Sequence, residues 1–327
     1  MTTLQQVAER AGCSLASASR VLGCSGPVSE QMARRVRRAA AELGYRPERL
    51  AATARSTRRP VVGILIPSIT NPVFAASLSS IENRMLLSGH GVLIAQSHYD
   101  PEREVSAVHA LLNDRPTGLI LTLCDPESSR VLDLPLPPTV LLNNPPTPRQ
   151  PAAVTVPNRA AGATLAGHLL DLGHRRILFV SGNFAASDRA RLRHQGYLDV
   201  LARRGVAPLP PMQVPFIGSY DQLDLTAILA QEAPTAVIAS NDLLAFGVIG
   251  ALRRQGLGVP QDLSVAGFDG IAIGQMMTPA LTTIEMPDAS MGAVAASLLL
   301  DMAENAAVAR HLQLAFSLRA GGTARAV

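Results

Sequence analysis

The sequence predicts an α/β protein: a small helical head followed by two lobes of doubly wound parallel sheet. Three observations carry this expectation. Apolar residues up to about residue 43 recur at helical spacing, with no strand-like run among them. From Val61 the period changes, and short apolar runs alternate with helical patterns in two series of similar size. The charge is also divided: residues 1–60 hold 11 arginines against 4 acidic residues, and the rest of the chain holds 18 arginines against 21 acidic residues. A basic head on a near-neutral body points to nucleic acid as partner, because phosphate attraction needs positive charge gathered on one face. At 327 residues and 34.4 kDa the chain exceeds one ordinary domain, and 47% hydrophobic residues suffice for buried cores. No lysine occurs, so every basic side chain is an arginine, whose planar fork suits guanine and phosphate.

In chain order, Thr3 and Gln6 fit a capping box, and Leu4, Val7, Ala8 and Ala11 fall on one helical face until Gly12 stops the run. Ser14 then caps a second helix that partly buries Leu15, Ala18, Val21 and Leu22 and turns Ala16, Ser17, Ser19 and Arg20 elsewhere. Small residues beside one arginine let a helix lie deep in a DNA major groove. The stretch is a helix-turn-helix candidate; an alanine-rich helical hairpin with no ligand is the alternative. After the turn-forming GCSGPVS, Ser29 caps a third helix to about Leu43, with Met32, Val36, Ala39 or Ala40 and Leu43 as its buried stripe. Arg34, Arg35, Arg37 and Arg38 lie off that stripe, either as phosphate contacts or as a solvated basic face. The run YRPERLAATARSTRRP, residues 45–60, reads as a linker that becomes helical only when supported, and a domain boundary falls there.

VVGILIP is the first buried parallel strand, and Asn71-Pro72 supplies an N-cap and first turn for the helix after it. GVLIAQ, a helix from Pro101, GLILTL and TVLLNN complete one series. The second comprises a helix at Ala160–Leu172, RILFVS, a helix at Asp188–Arg204, TAVIAS, a helix at Leu243–Gln255 and SVAGFD. Polar residues collect past the strand ends: Ser68, Asn71, Gln96, His98, Asp125, Asn143, Asn183, Asn241, Asp242 and Asp269. Open parallel sheets bind ligands there, so a small polar molecule between the lobes is the expected occupant, although loop residues are often polar anyway.

Several classes are disfavoured. Cys13, Cys24 and Cys124 have no CxxC spacing, which argues against a disulfide framework or zinc site and fits a reducing cytoplasm. No apolar run approaches the ~18 residues of a membrane span, and the N-terminus has no apolar signal region. No GxSxG elbow, glycine-rich phosphate loop or paired His ligands suggest an enzyme, a cofactor or a metal. An enzyme or solute-binding protein on the same core and a DNA-binding protein without effector response are the other readings of such a chain.

The blocks VAERAGCSLASASRVL, VSEQMARRVRRAAAELGYRP, VGILIPSITNPVFA, LGHRRILFVSG, ARLRHQGY, PTAVIASNDLLAFGVIGALRRQG, VPQDLSVAGFDGI and PALTTI, in this order over nearly the whole length, resemble the lactose/galactose repressor (LacI/GalR-type) family of bacterial transcription regulators. The resemblance implies a helix-turn-helix head at residues 1–46, a hinge helix and linker at 47–60, and a core at 61–327 like periplasmic sugar-binding proteins. Lobe one would take about 61–157 and 285–311, including a helix near Asp288–Asn305, and lobe two about 158–284 and 312–327. It implies an allosteric repressor, cytoplasmic and homodimeric, that binds double-stranded operator DNA and answers to a sugar or sugar acid, without cofactor or metal. Operator contact would fall on Ser14, Leu15, Ala16, Ser17, Ser19 and Arg20, with Ser29 as a phosphate-binding cap. Effector contact would fall on Phe74 as a stacking wall and on Asn143, Arg193, Asn241 and Asp269 as hydrogen-bonding groups. Arg193 also reads as the surface partner of a carboxylate, and Asn143 stands where the family often has Asp.

The hinge departs from the family pattern. Where the family presents a Leu that wedges into the minor groove and an Asn near the start of the helix, this chain has Ala54 and Glu48, with Leu50 as a substitute wedge. Alanine is too short to open a base step, so the operator bend is expected to fall below the ~40–90° of strongly bending regulators. Ala54→Leu is expected to increase both bend and affinity in circular-permutation gel shifts; a strong bend in the parent protein that Leu50→Ala abolishes would place the wedge at Leu50 instead.

Overall fold

The computed structural model describes residues 3–22, 28–43, 59–216 and 220–327. The chain divides into two compact units, Met1–Arg59 and Pro60–Val327.

The first unit holds helices α1 (Leu4–Ala11), α2 (Leu15–Leu22) and α3 (Glu30–Glu42). The capping box forms as the sequence predicts: Thr3 Oγ1 accepts from the Gln6 amide at 3.3 Å, and the Thr3 amide donates to Gln6 Oε1 at 2.9 Å. Gly12, at φ 60°, ends α1 in the left-handed region that glycine adopts without steric cost. Val7, Ala8, Ala11, Ala18, Val21, Leu22, Ala33, Val36, Ala39 and Ala40 form the core. Two burial expectations are corrected. Met32 and Leu43 are only half-buried, and Ala33 occupies the stripe instead, its small side chain suiting close packing of α3 on the other helices. Leu15 is 51% exposed rather than part of the core, because the first turn of α2 projects beyond that packing.

The second unit contains β1 (Val61–Ile66), α4 (Pro72–Leu87), β2 (Gly91–Gln96), α5 (Pro101–Leu112), β3 (Gly118–Leu121), β4 (Thr139–Leu142) and β5 (Ala153–Thr155). The chain continues through α6 (Asn158–Asp171), β6 (Ile177–Gly182), α7 (Asp188–Arg203), β7 (Met212–Val214), α8 (Thr226–Glu232), β8 (Ala236–Ala239), α9 (Asp242–Arg254) and β9 (Ser264–Asp269). It ends with α10 (Ala272–Met276), β10 (Thr282–Glu285), α11 (Asp288–Asn305), β11 (His311–Gln313) and β12 (Ser317–Arg319).

Two six-stranded sheets result, ordered β11-β5-β4-β3-β1-β2 and β12-β10-β9-β8-β6-β7. All pairings are parallel except β10 with β12. The chain leaves the first sheet after β5, returns after β10 to lay α11 and β11 on it, and leaves again for β12, so the last passage falls after Gln313. Met291, Ala295 and Leu299 of α11 share one core with Ile64, Phe74 and Ile81 of the first sheet and α4. That burial places the start of α11 beside the ends of the first-sheet strands.

In the second lobe α6 and α7 cross at two glycines. A Cβ on Gly162 would stand 2.0 Å from the Arg193 carbonyl oxygen, and one on Gly196 would stand 1.8 Å from that of Arg159. Backbone meets backbone there, and the crossing brings Asn158, at the start of α6, against Arg193 of α7. Gly196→Ala gains about 1 kcal/mol of helix propensity but forces the helices apart, which costs about 3 kcal/mol or more because no side chain can yield. A lowered Tm in thermal unfolding is the expected outcome, and an unchanged Tm would show that the crossing has slack.

Candidate functional site

In the head, α2 leaves Leu15, Ala16 and Arg20 exposed and Ser17 and Ser19 half-exposed. Ser14 Oγ accepts from the Ser17 amide at 3.1 Å and lies 2.9 Å from Ser17 Oγ, so both serines brace the start of α2. Ser29 Oγ accepts from the Met32 amide at 3.4 Å and caps α3. Helix N-termini carry unsatisfied N–H groups and partial positive charge, which suit phosphate.

The four arginines of α3 fall into different roles. Arg35 donates through Nε to the Ala11 carbonyl at 3.0 Å and through Nη2 to the carbonyls of Ala11 and Gly12, so it ties α3 to the turn between α1 and α2. Arg34 pairs with Glu30 at 2.6 Å and Arg38 with Glu42 at 2.9 Å, while Arg10 shares Glu42 at 3.0 Å. Arg20 and Arg37 are exposed and, among the described residues, without a side-chain partner. Leu50 and Ala54, with Glu48 and Cys24, lie outside the described residues.

In the second unit, Phe74, Asn143, Arg193, Asn241 and Asp269 line one cavity between the carboxyl ends of the two sheets. Each is placed by an element terminus or a buried helix face. Phe74 sits in the first turn of α4, whose N-cap Asn71 accepts from the Val73 amide at 3.1 Å. Asn143 and Asp269 follow or end β4 and β9 with φ of 68° and 112°, backbone that asparagine and aspartate tolerate better than bulkier residues. Asn241 caps α9, its Oδ1 accepting from the Leu244 amide at 2.8 Å. Its neighbour Asp242 faces inward, accepting from Thr283 Oγ1 at 2.7 Å and the Ile271 amide at 2.9 Å, and so knits α9 to β10.

Arg193 is 9% exposed. Its Nε donates to Asn158 Oδ1 at 2.9 Å, and its Nη1 donates to the Ser240 carbonyl at 2.6 Å and to Asp269 Oδ1 at 3.2 Å. The guanidinium carbon lies 4.8 Å from the Phe268 ring centroid. It does partner a carboxylate, but in the interior rather than on the surface, and most of its fork is already engaged. Arg189, one helical turn earlier, donates through Nη1 to the Leu123 carbonyl at 2.8 Å and Asp188 Oδ1 at 3.0 Å. Arg189 Nη2 and Asn143 Nδ2 are buried without a hydrogen-bond partner. Tyr99 of the first lobe stacks on Phe216 of the second, centroids 4.3 Å apart and 7° from parallel, and Phe74 tilts against Tyr99 at 6.5 Å. His98 and Tyr99 both hold positive φ, 57° and 58°, a strained pair that aims Tyr99 into the cavity.

Sequence reasoning missed Tyr99, Asn158, Arg189, Phe216 and Asp288 as lining residues. Only Arg189 left a usable signal, its i, i+4 spacing from Arg193. Conversely, Gln96, Asp125 and Asn183 brace loops: Gln96 accepts from the Ile69 amide at 2.8 Å, Asp125 pairs with Arg191 at 2.9 Å, and Asn183 accepts from the Ala185 amide at 2.9 Å. Among the described residues no cluster of three His, Cys, Asp or Glu could hold a metal ion, and no helix is long and apolar enough to cross a membrane.

Burial pushes the carboxyls of Asp269 and Asp242 up, against the pull of Arg193 on Asp269 and with repulsion from Asp269 added for Asp242. Burial and then Asp269 raise Asp288 likewise. A carboxyl raised by folding contributes stability that is full below its unfolded value near 4 and lost as pH rises through its folded value. The carboxyl cluster is therefore expected to lower the Tm of the core at about pH 8 relative to about pH 5.5, against the opposite contribution of His174 and His194, whose pKa burial lowers. Asp242→Asn is expected to raise the Tm at about pH 8 relative to that at about pH 5.5 when compared with the parent. A pH dependence of Tm that is the same in Asp242→Asn as in the parent would show that this carboxyl does not titrate between the two pH values.

Comparison with known proteins places both units. Residues 3–48 match the family described as bacterial regulatory proteins, lacI family, and residues 166–324 match the periplasmic binding protein-like domain. The ribose operon repressor of Haemophilus influenzae is 30% identical over 309 residues, 93% of each chain. The HTH-type transcriptional regulator GntR of Escherichia coli is 31% identical over 326 residues, 98% of each. The lac repressor dimer bound to operator and the anti-inducer ONPF superposes with a TM-score of 0.73 at 28% identity, over 99% of both chains. With a helix-turn-helix head, two parallel-sheet lobes and relatives of this identity over almost the full length, the chain belongs to the lacI family of bacterial regulatory proteins.

Proposed function

We propose that this protein is a repressor whose operator binding is set by a small polyhydroxylated metabolite, a sugar or sugar acid, held between the two lobes. The observation that supports it best is the pairing, in one lacI-family chain, of an exposed small-residue helix face with a buried cavity lined by convergent polar groups. Residues 1–46 act as the DNA-binding head, 47–60 as the hinge, and the remainder as the effector-binding and dimerisation core. On α2, Leu15 and Ala16 meet base edges, with Ser14, Ser17, Ser19 and Arg20 donating to phosphate or bases and Ser29 offering a second helix start to phosphate. Phe74, Asn143, Arg193, Asn241 and Asp269 hold the effector. Hydroxyls suit a cavity that offers both donors and acceptors, while Phe74 and the Tyr99–Phe216 pair offer apolar ring faces.

A second copy of the chain completes the function, since two heads read a pseudo-palindromic site. Leu86 and Leu87 at the end of α4 and Ile94 of β2, at 58%, 84% and 47% exposure, are exposed apolar side chains of the first lobe that such a contact would bury. The protein works in the cytoplasm as a regulator and not as an enzyme.

In vitro selection is expected to yield a pseudo-palindromic duplex bound with an affinity that falls steeply with salt. Arg20→Ala is expected to weaken specific binding by about 1–3 kcal/mol in fluorescence anisotropy. Unchanged affinity would remove Arg20 from the interface. No preferred duplex, or an operator affinity indifferent to every sugar and sugar acid in a metabolite panel, would defeat the corresponding half of the proposal.

A further inference from the structure

Resting on the sugar-binding reading of the cavity, we infer that Asp288 is a charge-selecting residue, and that the effector is a neutral or amino-bearing polyol from which acidic sugars are excluded.

Asp288 lines the cavity, is 9% exposed, and opens α11. Its carboxylate has no hydrogen-bond or ion-pair partner among the described residues, although its main-chain carbonyl accepts from Ser77 Oγ at 3.1 Å. The N-cap of the helix is Pro287, with no side-chain cap. Every other charge facing this space is matched. Arg193 is paired with Asp269 at 3.2 Å, and Arg189 with Asp188 at 3.0 Å. Asp242 is held by Thr283 and the Ile271 amide and lies close enough to Asp269 to repel it. Of the two aspartates that line the cavity, Asp269 is paired with Arg193, whereas Asp288 feels Arg193 only at longer range and has no hydrogen-bond or ion-pair partner of its own among the described residues.

The groups awaiting partners define the ligand. Arg189 Nη2 and Asn143 Nδ2 are buried without acceptors, and the Asp288 carboxyl, which lines the same cavity, has no donor among the described residues. A hydroxyl supplies both roles, and an ammonium on a polyol supplies the donor with charge. Folding raises the Asp288 carboxyl, so the selection acts at pH values above its folded value: there a ligand carboxylate would satisfy the two nitrogens but set a second negative charge near Asp288 in a site of low dielectric, where like charges repel far more than in water. Charge selection is thereby separated from the hydrogen bonds that hold the sugar. A carboxylate at a helix start also interacts with the helix dipole. That role alone would affect stability and leave ligand choice untouched, which makes the two roles separable.

The test is titration calorimetry of the full chain with matched probes: D-glucose, D-glucosamine and D-gluconate, then D-galactose, D-galactosamine and D-galacturonate, and D-ribose with D-ribonate. The acid of the binding series is expected to bind the parent roughly 10- to 100-fold more weakly than its neutral counterpart. In Asp288→Asn the acid gains and the amino sugar loses, so that the preference falls to within about threefold; Asp288→Ser, with ligand-free Tm measured for both variants, repeats the comparison if the first fails to fold. An acid that binds the parent as well as the neutral sugar, or a preference unchanged in a folded variant, overturns the inference. If acids alone bind, the sugar reading stands and only this inference falls. If nothing in any series binds, both fall together.

Discussion

The guanidinium of Arg193 is the constraint on which the cavity depends. It reaches Asn158 at the start of α6, the Ser240 carbonyl past β8, and Asp269 at the end of β9, and so ties three element termini to α7. A buried ion pair repays its desolvation only when further hydrogen bonds and good geometry accompany it. Here Asn158, the Ser240 carbonyl and the Phe268 face supply them. Breaking such a pair from one side leaves an unmatched buried charge, a loss of about 3–5 kcal/mol. The reach is short, which is why α6 and α7 must approach to backbone contact at Gly162 and Gly196. Two glycines that do not themselves line the cavity therefore belong to the architecture of the site.

The Tyr99–Phe216 stack bears on how a ligand could shift the lobes. It joins the first lobe to the second across the cavity, and stacked aromatic pairs are worth about 0.5–1.5 kcal/mol beyond their burial. A ligand moves the lobes only by its difference in affinity between their arrangements. Contacts made to one lobe alone contribute affinity without switching. Asn143 and Asp288 approach from the first lobe and Arg189, Asn241 and Asp269 from the second, so a polyol spanning them has contacts of the kind that discriminate.

The fold was legible where apolar runs were long. VVGILI, GVLIAQ, GLIL, TVLL and the second-lobe counterparts are strands because buried parallel strands need continuous apolar residues. β5, β7, β10, β11 and β12 were not read as strands, since three or four residues such as Ala153–Thr155 carry too little periodicity and gain their order from neighbours distant in sequence. The same non-locality hid Asn158 and Asp288, which follow chain passages between lobes rather than strands that pattern reveals. Arg35 looked like its neighbours Arg34, Arg37 and Arg38, yet its partners are carbonyls 23 and 24 residues away. Spacing along one helix cannot distinguish an arginine that caps another helix from one that faces solvent.

Leu15 shows the opposite case, where burial propensity misleads because the residue lies in the first turn of α2, outside the packed face of the head. At 51% exposure it forgoes part of the roughly 1.5–3 kcal/mol that full burial of a leucine provides. The head can bear this because ten other side chains, six of them alanine, already close its small core. Beside Ala16, an apolar group on a narrow helix can meet thymine methyls in a major groove, while Arg20 lies in the last turn of the same helix. Pairing Arg34 and Arg38 with glutamates and spending Arg35 on the turn leaves Arg20 and Arg37 as the arginines of the described head without protein partners. Among the described residues of the head the unpaired positive charge is thus focused on Arg20 and Arg37, and an apolar contact beside a focused charge can read a base sequence where diffuse basicity would only bind phosphate.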